Sequence, residues 1–94
     1  MTENGSDQVT VEDEPASSRF EIHVGDELAG FADYRLADGK IAFTHTEIDP
    51  ARGGQGLGTR LVEYAVTDAR ARDLEIVPIC PFVRDWIAEN PERS

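Results

Sequence analysis

The chain has 94 residues, with 19 acidic against 9 basic and a formal net charge of −10. That length makes one domain with a modest core, and the acidic balance argues against duplex nucleic acid, which is bound through basic patches that displace counterions. No apolar run approaches the ~18–20 residues of a membrane span and no signal-peptide pattern opens the chain. One cysteine and two distant histidines offer neither a disulfide nor a metal cluster, so a metal-free cytoplasmic protein is expected.

Residues 1–8 are polar and read as a disordered acidic tail, ahead of a single folded domain over 9–94. Val9-Thr10-Val11 suits a short edge strand before the acidic break Glu12-Asp13-Glu14-Pro15. Arg19 to Val24 alternates, with Phe20, Ile22 and Val24 on one face, and ends at the turn signal Gly25-Asp26. A second strand follows from Leu28 to Leu36, anchored by Phe31 and Tyr34. Asp38-Gly39 is a hairpin turn and Lys40 to Ile48 the third strand. Connections this short predict an antiparallel meander.

The period then changes. Leu57, Leu61, Val62, Ala65, Val66 and Ala69 recur at helical spacing over Leu57 to Arg72, with Arg60, Glu63, Thr67 and Arg70 outside the stripe. Glu75 to Ile79 reads as a short buried strand, which the helical crossover places parallel to the third strand. Pro81 starts a second helix that turns Phe82, Val83, Trp86 and Ile87 inward and ends at Asn90-Pro91. The aromatic residues Phe20, Phe31, Phe43, Tyr34, Phe82 and Trp86 read as core. The expected fold is an α/β (α+β) domain of layout β-β-β-α-β-α: an antiparallel meander and a crossover strand, packed by two helices.

Between the third strand and the first helix stands Arg52-Gly53-Gly54-Gln55-Gly56-Leu57-Gly58-Thr59. Glycines at a strand-to-helix junction bring the backbone close to a ligand. The first helical turn leaves about four N–H groups unpaired, and the macrodipole makes that end partly positive. The expected guest is a phosphate or pyrophosphate. Charge agrees, because residues 51–72 carry four arginines against Glu63 and Asp68 and form the net-positive segment of an acidic chain. A tight turn with no ligand, followed by a solvated helix face, is the alternative. A Walker A loop would need a lysine that is absent here. The dinucleotide fingerprint fails at Thr59 when started from Gly54 and at Leu61 when started from Gly56.

Five stretches sit on this layout: Arg19-Phe20-Glu21, Gly30-Phe31-Ala32-Asp33-Tyr34, His45-Thr46-Glu47, Gln55-Gly56-Leu57-Gly58 and Pro78-Ile79-Cys80-Pro81-Phe82-Val83. With them the chain resembles the GNAT superfamily of acyl-CoA N-acyltransferases, and within it the short single-domain Yjdj-type branch. The resemblance covers residues 18–92. It implies that the protein binds acetyl-CoA, or coenzyme A itself, and transfers the acetyl group by direct attack to a primary amine, either a small molecule or a protein lysine. A non-catalytic acyl-CoA-binding or protein-interaction module is the alternative. The resemblance also implies that the amides of Gly53, Gly54, Gln55, Gly56, Leu57, Gly58 and Thr59 cradle the pyrophosphate, with pantetheine beside Thr46, Glu47 and Ile48. The family loop usually has Arg or Gln, two residues, then Gly-x-Gly. Here Gly53 stands at the first of those positions with Arg52 one earlier, so Arg52 or Arg60 is expected to supply the side chain.

Acyl transfer to an amine needs a neutral nucleophile and a stabilised oxyanion. On an unbulged strand Phe43, His45 and Glu47 share one face, and Thr44 and Thr46 the other. Glu47 or His45 is then expected to accept the proton, directly or through a water. A bulge at this place, which the resemblance implies is common, would reset that alternation, and a structural, hydrogen-bonded His45 is the alternative. Cys80 precedes Pro81 at a helix start, where the dipole lowers a thiol pKa. The resemblance puts it beside the acetyl group, as acid to the leaving CoA thiolate or as acyl acceptor; a buried packing cysteine is the alternative. The acidic surface would draw a cationic acceptor, and a monomer or weak homodimer is expected.

Overall fold

In a computed structural model, which describes residues 8–91, one five-stranded sheet carries the chain. Its strands β1 (Val9–Glu14), β2 (Arg19–Val24), β3 (Glu27–Ala37), β4 (Lys40–Ile48) and β5 (Glu75–Pro78) lie side by side in chain order. The first four are antiparallel and β5 runs parallel to β4, as the crossover through helix α1 (Leu57–Ala71) requires. Helix α2 (Pro81–Glu89) follows β5. Apart from Gln8, the expected disordered tail lies outside the described residues. No helix among the described residues is long and apolar enough to cross a membrane.

Local chemistry accounts for these elements. Asp38 and Gly39 both take positive φ, 54° and 78°, and the two-residue turn pairs Ala37 with Lys40. The helical stripe of α1 is buried at every expected position: Leu57, Leu61, Val62, Ala65, Val66 and Ala69. It packs on Phe20, Ile22, Ala32, Tyr34, Ile41 and Phe43 from the sheet, and Val83 of α2 joins the same core. Both helices therefore lie on one face of the sheet, and among the described residues the other face has no helix over it. Of the aromatic residues read as core, Phe20, Tyr34 and Phe43 are buried, whereas Phe31 belongs to the uncovered face and Phe82 is 42% exposed.

The first strand differs from expectation. It is six residues long and includes the supposed acidic break, pairing along its whole length with β2. Period two explains this, because Val9, Val11 and Asp13 face the helices while Glu12 and Glu14 face solvent. Asp13 is tolerated there because its carboxylate accepts a hydrogen bond from the Tyr34 hydroxyl at 2.6 Å. Arg72 at the end of α1 lies 3.7 Å from the same carboxylate and 3.2 Å from Asp68. Burial, and then Asp13, hold the Tyr34 hydroxyl well above its ordinary pKa.

Candidate active site

Strands β4 and β5 part company halfway along. Their pairing runs from Lys40 opposite Glu75 to Phe43 opposite Pro78, and closes with Cys80 N–H donating to the Phe43 carbonyl at 2.9 Å. From Thr44 to Ile48, β4 continues with no partner strand on that side among the described residues, leaving a gap between it and the start of α2. At the same place β4 bulges. Asp33 pairs with His45 and Tyr34 with Phe43, so Thr44 is the extra residue.

The bulge overturns the unbulged alternation. One extra residue shifts the parity of everything after it, so Thr46 and Ile48, rather than His45 and Glu47, share the helix side with Phe43. His45 and Glu47 instead stand on the uncovered face. His45 Nε2 is 3.1 Å from Glu47 Oε1, and both side chains are more than half exposed, at 57% and 60%. The His45 ring lies 6.1 Å from that of Phe31.

Cys80 and Thr46 meet on the helix side of the gap, with the Cys80 thiol donating to Thr46 Oγ1 across 3.4 Å. Cys80 immediately precedes α2, whose first turn begins at Pro81. Burial of the sulfur acts to raise its pKa, but the Thr46 hydroxyl and the amides of Val83, Phe82 and Thr46 outweigh burial. The thiol is held below its ordinary value. A depressed thiol pKa means more thiolate at neutral pH. Thr46→Val is therefore expected to move the thiolate absorbance titration of this single cysteine to higher pH. An unmoved titration would remove the hydroxyl from the account.

The glycine loop begins where β4 ends. Asp49 accepts from the Ala51 amide at 3.0 Å and opens a single 3-10 turn, Pro50–Arg52. Gly54 and Gly56 then adopt left-handed backbone, at φ 81° and 74°, with open space where a side chain would project. Gly56 is the N-cap of α1, and neither a capping side chain nor an acidic residue serves the first turn. The amides of Leu57, Gly58 and Thr59 are consequently free to bind an anion. Gln55, Thr59 and Arg60 are exposed around them, and Arg60 forms no ion pair among the described residues.

Two loop residues depart from expectation. Arg52 turns back to pair with Glu27 of β3, so its charge is spent on the sheet, whereas Arg60 lines the groove between β1 and α1 with Val9, Val11 and Tyr64. The Gly53 amide, expected at the pyrophosphate, instead donates to the Pro50 carbonyl at 3.2 Å and closes the 3-10 turn. Gly58 is buried, and a Cβ there would come within 2.6 Å of the Phe82 ring and 3.5 Å of Ile48. Its lack of a side chain lets α2 lie against the start of α1, while its amide remains in the first turn. The structure thus groups Cys80 with Thr46, His45 with Glu47, and Gln55 to Thr59 at the helix start. The Thr46 hydroxyl on Cys80 and the amides of Phe82 and Val83 had no sequence signal beyond the position of Pro81.

Residues 19–94 match the family model described as GCN5-related N-acetyl-transferase. A search of curated proteins finds no match. Among solved structures, a GCN5-like protein from Staphylococcus aureus superposes with a TM-score of 0.63 at 26% identity, over 89% of this chain and 80% of its own. The ribosomal-protein-alanine N-acetyltransferase of Brucella melitensis biovar Abortus 2308 gives 0.61 at 17% identity, over 81% of this chain and 63% of its own. The second likeness is one of fold alone.

Proposed function

This chain belongs to the GCN5-related N-acetyltransferase family, whose members move acyl groups from acyl-CoA, and on that premise we propose that it binds acetyl-CoA along the β4 gap and acetylates a primary amine by direct attack. The observation that carries the reading is the unpaired run of β4 from Thr44 to Ile48, with the Cys80 thiol beside it and the uncapped start of α1 at its far end.

The donor supplies a thioester carbonyl open to attack by an amine. The free amides of Leu57, Gly58 and Thr59 hold its pyrophosphate, helped by the close backbone approach at Gly54 and Gly56. The backbone of Thr46 to Ile48, which no strand pairs on the gap side, binds the pantetheine arm. Glu47, with His45 at 3.1 Å, accepts a proton from the incoming ammonium on the uncovered face. Cys80, on the opposite side of β4, delivers a proton to the leaving thiolate. Acceptor and donor of protons thus stand on opposite sides of one strand, so different groups serve the two proton transfers that flank the tetrahedral intermediate. The free thiol of Cys80 suits a reducing cytoplasm.

The test is CoA release from acetyl-CoA in the presence of a panel of primary amines. Glu47→Gln is expected to lower kcat/KM about a hundredfold, and Cys80→Ala to lower kcat while acetyl-CoA affinity holds. Full turnover in both variants would strip these residues of their roles. Saturable binding without acetyl transfer to any amine would favour a non-catalytic acyl-CoA-binding module.

A further inference from the structure

We propose that the helix-free face of the sheet is the docking surface for the acceptor, and that its occupant is a basic, lysine-bearing polypeptide segment. This rests on the acyl transfer proposed above. The strand register lays two rows of side chains across that face. Glu12 stands opposite Glu21, Glu21 opposite Phe31, and Phe31 opposite Glu47. The neighbouring row runs Glu14, Arg19, Asp33, His45. Five of these eight side chains are carboxylates and one is a guanidinium, so the patch is strongly acidic. Like charges directly opposite one another destabilise a sheet. Across the Glu12–Glu21 pair that repulsion is offset by Arg19, 2.7 Å from Glu21, which leaves Glu12 and Glu14 as the carboxylates open to a bound cation.

The surface already holds one cation of its own. Arg19 lies over the Phe31 ring, 4.8 Å from its centroid, with a guanidinium nitrogen 2.7 Å from Glu21. An aromatic face flanked by carboxylates is the environment that a lysine or arginine side chain seeks. The first row ends at Glu47, at the gap through which the thioester would be reached, so an amine bound there arrives on the side away from Cys80.

Extent favours a polypeptide over a small amine. Glu47 and Glu12 are three strand spacings apart, about 14 Å, or roughly four residues of extended chain. Beside the bulge a polar depression of about 510 Å³ opens, lined by Ser17, Ser18, Asp33, Tyr34, Arg35 and Thr44. Its hydroxyls and Arg35 offer donors to peptide carbonyls, which a polyamine lacks, and Arg35 repels an unbroken row of cations.

The experiment is a titration of the isotope-labelled protein, followed by amide NMR shifts with and without CoA. The probe is a short peptide carrying a central lysine with an arginine two residues to either side, the intervening residues being uncharged. Shifts are expected at Glu12, Glu21, Phe31, Asp33 and Glu47, with affinity falling as salt rises. The double variant Glu12→Lys, Glu14→Lys, at an edge strand where lysine is well tolerated, is expected to weaken the peptide about tenfold with CoA affinity unchanged. Shifts confined to the groove between β1 and α1, around Tyr64 and Thr67, would overturn the proposal, as would an unchanged affinity in the double variant. Spermine binding as tightly as the peptide would overturn the polypeptide assignment. Absence of CoA binding would count against the acyl-transfer reading instead, because the peptide arm without CoA still decides the surface.

Discussion

A Gly30→Ala variant is expected to lose about 3 kcal/mol of stability and its affinity for acetyl-CoA together. Gly30 pairs with Ile48 at the end of β4, and a Cβ there would meet the Glu47 carbonyl oxygen at 2.5 Å, the Ile48 Cα at 3.2 Å and the Ile48 Cδ1. A side-chain tip can rotate away, but a carbonyl held in a sheet cannot. The end of β4 must therefore lift from β3, and that end is the strand on which the pantetheine is proposed to lie. In a domain of this size the loss lowers the melting temperature by on the order of 15 °C. Thermal unfolding and calorimetric titration check both halves. A variant that melts and binds like the parent protein would show that β4 is not seated on Gly30 as described.

Gly56→Asp is expected to leave the fold nearly intact and to weaken acetyl-CoA binding by roughly a hundredfold or more, about 3 kcal/mol. The position is an N-cap with φ 74° and nothing within 4 Å of a built Cβ, so the new side chain has room. Aspartate visits left-handed backbone more readily than most residues and its carboxylate can cap the free amides of the first turn. Both effects offset the strain of losing glycine. The same carboxylate occupies and repels the place of the pyrophosphate. Gly56→Asn, of equal size without the charge, separates repulsion from bulk and should lose less. Equal affinities for the Asp, Asn and parent proteins would place the phosphates elsewhere. Gly58→Asp would be a poorer test, since its side chain would be driven into Phe82 and the fold would suffer first.

Much of this arrangement is legible in the sequence because it follows from periodicity and turn chemistry. The alternation in β2, the Asp38-Gly39 turn, the helical stripe of α1 and the Pro81 start of α2 are local patterns, and each element forms where the pattern lies. The glycine loop is legible for the same reason, since left-handed backbone at Gly54 and Gly56 has few other solutions. What escaped depends on partners distant in sequence. Asp13 looks like part of an acidic break until Tyr34, 21 residues away, is seen to donate to it. Arg52 looks available to a phosphate until Glu27, 25 residues earlier, is found to hold it. The bulge at Thr44 carries no glycine or proline to announce it and is open to the sequence only through the family resemblance, yet it decides which face His45 and Glu47 occupy. The role of Gly58 changes likewise, because the ring of Phe82 that limits it belongs to the other helix.

Calorimetric titration of the purified protein with acetyl-CoA, alongside CoA and ATP, tests the central claim most directly. Saturable binding of acetyl-CoA and CoA, with no comparable heat from ATP, is the predicted result. ATP shares the phosphates that the start of α1 would hold but lacks the pantetheine arm that would lie along Thr46 to Ile48. Absence of acetyl-CoA binding, or ATP binding equally well, would contradict the assignment of this gap to an acyl-CoA.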